Sequence, residues 1–521
     1  MDSDRGRNWH GDWRTSNHDV GNSRHAASET AISPATVAGL APAFVLTTGG
    51  CNWSTPIVAG DSLFLTDSAG GLTRVDRATG AVVWTRQLAE LTGLKGSNAR
   101  TSVVVTDDLV ITGDRAAANL VAVDRATGAL RWLTLLDPHP AALITGSPVL
   151  HDGIIYVGTS SLEGVKIMRD RAHPTSFTGR MLAVRADTGR ILWQTATMPD
   201  NGGATDSWSG GAVISVPAVD AATGTVFFTT DHHYRLPADL LARLETCRQG
   251  WDRRLLPEDF RPSSLIAVEM ATGAVKWSFF GAGVDVWERI CGEHPGVGFP
   301  FPMHEMGRPA GAERIVPPAA DFLNWSFAAG SPQIFDVMIG GRLRHLVGAA
   351  HKSGVYWAFD AATGDVVWHS VVGPWSEPGG LSWGAAWDGE RLYVALSNLE
   401  RVPHRLIDGV LTDGGSWAAL DPATGAILWQ VAEPQRQPVY AAPVVANGVV
   451  LVGSMAPEGD QMFALDAASG RILWAFPAGG SVAAHPAVAD GRVYWGSGFP
   501  LFGGKANDKV FVLALPGGGA G

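Results

Sequence analysis

The 521 residues exceed what a single ordinary hydrophobic core can fill, so the chain must be several domains or one repetitive architecture. A net charge of -11 and the lack of any Lys/Arg run exclude a nucleic-acid surface, which needs clustered positive charge. No apolar run is long enough to span a membrane, whereas 64 glycines and 20 tryptophans suit short strands, tight turns and buried rings.

Residues 1–40 read as an N-terminal arm. The opening "MDSDRGRNWHGDWRTSNHDVGNSRHAASE" is polar and holds no apolar signal-peptide core, so the chain is expected to be cytoplasmic, the alternative being a periplasmic or secreted protein whose leader has been removed. Residues 41–521 read as one unit. "APAFVLTTGG" at 41–50 has strand character and is expected to pair with the last strands of the chain, at 505–516.

From there a pattern recurs: an apolar residue, an acidic one, two residues, Thr-Gly or a near copy, three residues, Trp. "VDRATGAVVW" at 75–84 and "VDRATGALRW" at 123–132 are the plainest copies, and the pattern closes at Trp84, Trp132, Trp193, Trp277, Trp368, Trp429 and Trp474. Runs with period-two alternation flank each copy, so each is a hairpin with Gly supplying the positive φ of its turn. One such sheet cannot bury a tryptophan alone, and radial stacking of the units gives a propeller. Residues 481–516 supply strands of a further unit without a closing Trp strand. The expectation is an all-β, eight-bladed β-propeller whose eighth blade is completed by the 41–50 segment. The repeated Asp, Thr-Gly and Trp are then scaffold, and function belongs where repetition fails: in the long blades ending at Trp277 and Trp368, whose insertions map to loops. Cys51, Cys247 and Cys291 form no CxxC or CxxCH pattern; a Cys247–Cys291 disulfide and two separate thiols are both open.

Several stretches outside the repeat, "DWRTSNHDVGNSRHA", "ITGSPVLHDGIIYVGTSSLEG", "AVDAATGTVFFTTDHHY", "GVDVWERICG", "AHKSGVYWAFDAATGDVVW" and "GGLSWGAAWDG", resemble the pyrroloquinoline-quinone (PQQ) dehydrogenases, polyvinyl-alcohol dehydrogenase type. The resemblance implies PQQ and Ca²⁺ as cofactors, and oxidation of a secondary or bulky alcohol with hydride transfer to the quinone. It implies calcium ligation by Glu163, Asp231 and Glu288, a catalytic base at Glu288 or Asp285, and cations near the quinone at Arg100 and Lys352. Thr145, Ser160 and Ser161 would add hydroxyl donors, and Trp383 falls in a matching stretch. Ile214 stands where the family has the tryptophan that stacks on the quinone, and the family's vicinal cysteines are missing. With no haem-attachment motif, electrons would leave through a separate acceptor. Two further readings stay open: a cofactor-free enzyme using Asp231, Asp285, Glu288, His232, His294 and His304 for acid–base work, and a non-catalytic binding scaffold.

Overall fold

The computed structural model describes residues 11–170, 172–205, 207–240, 256–280, 326–327, 330–376, 379–381 and 383–516. Among these the chain forms eight four-stranded antiparallel sheets arranged as the blades of a propeller. The first blade sets the pattern. Its first strand, Ile57–Ala59, is buried throughout; Ser62–Thr66 and Gly71–Asp76 follow; the last, Val82–Gln87, exposes most of its residues but buries Trp84. In the last blade the order changes: Ala487–Ala489, Arg492–Gly496 and Lys509–Ala514 are joined by Ala41–Thr47, which pairs with Lys509–Ala514. The first strand of the propeller thus closes the ring and removes an open edge.

The turn chemistry explains the repeat. Asp76 accepts the Thr79 backbone N–H at 2.8 Å and its hydroxyl at 2.7 Å, while Gly80 adopts a φ of 76°. The same bonds recur at Asp124, Asp421 and Asp466. The glycine also serves its neighbour. Six of the seven repeat tryptophans lie against the turn glycine of the next blade and donate the indole N–H to a carbonyl there, for example Trp132 to Ala186 at 3.0 Å and Trp277 to Ala361 at 3.1 Å; Trp474 donates to the Leu40 carbonyl, just before the closing strand. At the closing junction Phe44 takes the ring's place on Gly80, and an Arg77 guanidinium bonded to the Tyr494 hydroxyl at 2.7 Å and the Ala489 carbonyl at 3.0 Å ties the eighth blade to the first.

In such a meander the Thr-Gly turns all lie at one end, and the loops after the second and fourth strands lie at the other. The N-terminal arm runs along the bare inner edges of the innermost strands: Trp13 pairs with Val58, and Val20, Gly21, Ser23 and Arg24 bond Val219, Ile334, Trp387 and Val445, four further blades. A tight turn in which Asp19 accepts the N–H groups of Gly21 and Ser23 aims Asn22 and Arg24 inward; Asn22 donates to the carbonyls of Val216, Pro217 and Pro332.

Two consequences are measurable. Gly189 and Gly153 both have left-handed φ values, 70° and 72°, but a Cβ at Gly189 would stand 2.6 Å from the Trp132 ring, whereas at Gly153 nothing lies within 4 Å. Both alanine variants pay a backbone penalty of about 1–2 kcal/mol, and only Gly189→Ala adds overpacking of about 1–3 kcal/mol. Thermal melts should therefore rank Gly189→Ala well below Gly153→Ala; equal midpoints would remove the tryptophan seat from the account. Between blades four and five, His345 bridges Asp220 at 2.9 Å and Asp336 at 2.6 Å, and these carboxylates raise its pKa despite partial burial. A raised folded value makes this clamp's stabilisation complete below about pH 6.5 and lost as pH rises through the folded value. The difference in melting temperature between the native chain and His345→Gln should shrink between pH 6 and pH 8; a constant difference would contradict the bridge.

Candidate functional site

The loops at the end opposite the Thr-Gly turns, with the N-terminal arm beneath them, enclose an axial cavity. Aromatic rings from four loops form part of the wall: Trp53, Trp383, Tyr440 and Phe499. Arg24, Arg100, Ser102, Thr145, Ser147 and His485 add polar groups, and no Asp or Glu lines it among the described residues.

Arg100 lies with its guanidinium 4.6 Å from the centre of the Trp383 ring and also hydrogen-bonds Tyr440, so a planar cation is held flat on an aromatic face with its remaining N–H groups at the edge. Burial lowers its pKa, with Tyr440 acting in the opposite sense. Trp383 is held in turn. Its backbone has a φ of 65°, and its carbonyl accepts a hydrogen bond from Arg24, which also donates to Ala385 at 2.8 Å. Arg24 is fully buried, and desolvation brings its pKa down to about 9. His485 is buried near Trp383, and its pKa falls well below the usual histidine value through desolvation, then the fields of Arg24 and Arg100. It is a neutral imidazole at neutral pH.

A second polar group comes from three other blades. Asp231 follows the strand Thr225–Thr229 and Lys352 follows Arg342–Ala350; the Lys352 ammonium stands 3.6 Å from the Asp231 carboxylate, which also pairs with His232 and accepts the Ser326 hydroxyl at 3.0 Å. Although burial opposes it, the fields of His232 and Lys352 and the His232 hydrogen bonds hold this carboxylate far below the usual range. Glu163 opens a short helix, Glu163–Arg169, in the third blade. Its carboxylate accepts the backbone N–H groups of Ser176 and Phe177, the latter at 3.0 Å, with His139 3.5 Å away. In buried Tyr234, desolvation and then the fields of Asp231 and Glu163 push the pKa well up, and Gly164 N–H donates to its hydroxyl.

The residues singled out in the sequence therefore divide. Arg100, Thr145 and Trp383 line the cavity, and Thr145 bonds the Ser160 hydroxyl at 2.7 Å. Ser161 instead accepts the Glu163 N–H at 3.0 Å. Asp231 and Lys352 meet, whereas the Glu163 carboxylate is held by the backbone of Ser176 and Phe177. Ile214 packs into the hydrophobic cluster of blades two and three, and Val216 is the residue of its stretch that lines the cavity. Glu288, Asp285, Cys247, Cys291, His294 and His304 lie outside the described residues; Cys51 is a free thiol. Arg24, Tyr440, His485 and Phe499 were not anticipated. For Arg24 a signal existed, an arginine inside the matching "NSRHA" stretch; single residues such as Tyr440 and His485 carry none.

The family model described as "Outer membrane protein assembly factor BamB", a PQQ-repeat model, matches residues 38–172, 351–452 and 413–508. The chain is 27% identical over 429 residues to a polyvinylalcohol dehydrogenase of Pseudomonas sp, covering 76% of this chain and 57% of that one. It is 27% identical over 392 residues to a polyvinylalcohol dehydrogenase of Sphingopyxis sp. (strain 113P3), covering 71% and 51%. The chain thus spans little more than half the length of these relatives. The quinohemoprotein alcohol dehydrogenase from Comamonas testosteroni superposes with a TM-score of 0.68 at 18% identity, over 98% of this chain and 81% of that one, a likeness of fold. The cytoplasmic expectation is corrected by these relatives, which are periplasmic or secreted enzymes; it rested on the polar first residues, which carry no information about a removed leader. With its model matched over more than half of the chain, the family is shown: the protein belongs to the PQQ-type β-propellers, and among them it is similar to the polyvinyl alcohol dehydrogenases.

Proposed function

We propose that the protein is an alcohol oxidoreductase that binds PQQ in the axial cavity, acts on a secondary or otherwise bulky alcohol, and hands electrons to a separate acceptor. The observation that carries this reading is the half-buried Arg100 guanidinium on Trp383, beside the Thr145 and Ser160 hydroxyls, in a cavity that no acidic residue lines among the described residues. A planar, carboxylated quinone asks for that donor set: fixed cationic N–H groups at its edge, hydroxyls, and a flat aromatic wall. The similarity to polyvinyl alcohol dehydrogenases supports the substrate class. When bound, the quinone supplies the hydride acceptor.

The chain's own residues then bind and orient. Arg100 and Thr145 hold the anionic edge, and Trp383 and Tyr440 keep water from one face. Lys352 adds a second cation, kept in place by Asp231. A carboxylate held as low as Asp231 is a poor base near neutral pH, since an effective base titrates close to the working pH. The alcohol proton is therefore assigned to Glu288 or Asp285, outside the described residues.

Calcium fits less well. It asks for six to eight oxygens, while the described residues offer Glu163 and Asp231, both already engaged by protein donors, and no cluster of three potential ligands. Glu288 would have to complete the set.

The test is titration of quinone-free protein with PQQ, followed by absorbance, then dye-linked oxidation of a series of alcohols. Losing charge-assisted hydrogen bonds worth about 1.5–3 kcal/mol, Arg100→Gln should weaken PQQ binding by roughly ten- to a hundred-fold. Native protein that binds no PQQ with or without Ca²⁺, or Arg100→Gln with unchanged affinity, would refute the assignment.

A further inference from the structure

The arm end of the axial cavity is lined by groups that the quinone reading does not use. Arg24 is fully buried, its two terminal nitrogens donate to backbone carbonyls, and its Nε finds no partner. The acid whose field reaches it, Asp19, is turned to the arm's own N–H groups and the Ser23 hydroxyl. Across the same cavity His485, 8% exposed, leaves Nδ1 unpartnered, and so do the hydroxyls of Ser102 and Thr55, 2% and 3% exposed. Every one of these groups can donate, and one carries a permanent positive charge. A buried cation ringed by unused donors, with no carboxylate lining the cavity among the described residues, is complementary to an anion.

We propose that this end of the cavity binds a small anion of the halide or monocarboxylate class, held by Arg24 and His485 with the Ser102 and Thr55 hydroxyls. The site joins the N-terminal arm to four blades: Thr55 precedes the first, Ser102 the second, His485 the eighth, and Arg24 reaches the loop before the sixth through Trp383 and Ala385. An occupied site links the arm to the ring by charge as well as by backbone pairing. Its residues are distinct from the quinone-binding set of Arg100, Thr145 and Lys352, so it does not depend on that reading. The same anion chemistry has two sources, a free ion or a carboxylate of the quinone, and the experiment separates them.

Quinone-free protein is melted in sodium chloride, bromide and formate against sodium gluconate at one ionic strength, and crystals grown in bromide are measured at the bromine absorption edge. The midpoint should rise by several degrees, saturably, in the three small anions and not in gluconate, with an anomalous peak between Arg24 and His485. Because Arg24→Gln also releases two buried carbonyls and can loosen the arm, His485→Leu is the second variant; it should weaken the anion effect at least tenfold and leave the midpoint in gluconate nearly unchanged. Equal midpoints in all four salts, or no peak in the cavity, would overturn the site. Addition of PQQ completes the test. A bromide peak that persists beside bound quinone supports a separate site; displacement of bromide by PQQ overturns it; and failure of PQQ to bind while bromide remains refutes the quinone reading alone.

Discussion

Everything in this molecule depends on an indole ring seated on a glycine of the next blade. The glycine is needed twice, once because its turn has positive φ and once because a side chain there would collide with the ring; Gly364 under Trp277 and Gly425 under Trp368 show the same arrangement as Gly189 under Trp132. Each seat adds a hydrogen bond from the indole N–H, and together they carry the ring from blade to blade without help from the loops. That independence is what frees the loops of the opposite end to diverge and carry chemistry. At the closing junction, where Phe44 replaces the indole and brings no N–H, the Arg77 bonds to Tyr494 and Ala489 supply the missing polar link.

A propeller leaves one problem at its axis: the innermost strands present bare backbone edges to a central channel. Here the N-terminal arm covers them at one end, bonding inner strands of five blades, and it carries Arg24 into the centre. The chain of constraint runs from the Asp19 turn, which aims Arg24, to the Trp383 carbonyl, which Arg24 holds in a left-handed conformation, to the Trp383 ring, on which Arg100 lies. Strain of this kind persists only where the surroundings over-determine it. The site is thus built on the scaffold rather than added to it.

Fold and site were legible to different degrees for a physical reason. Seven copies of the acidic, Thr-Gly, Trp pattern encode local turns and a nearest-neighbour contact, both of which a one-dimensional sequence displays. Site residues such as Asp231 and Lys352 could be picked out only by resemblance, because their meeting depends on blades packed side by side and no spacing in the chain records it. Tyr440 and His485 lay beyond reach altogether: a lone tyrosine or histidine before a strand is ordinary, and its significance comes from facing Arg100 and Arg24 across the axis. Ile214 illustrates the converse. Its place in the chain suggested a lost stacking platform, whereas the aromatic wall comes from Trp383 and Tyr440 on other blades.

The central claim is that the axial cavity is the quinone's seat. It is tested most directly by a crystal structure of the protein grown with PQQ and Ca²⁺. The account predicts planar density in the cavity, with a carboxylate of the quinone against the Arg100 guanidinium and the Thr145 hydroxyl, and Trp383 alongside. Density for PQQ on the outer surface or in no fixed place, with the cavity unchanged, would contradict it.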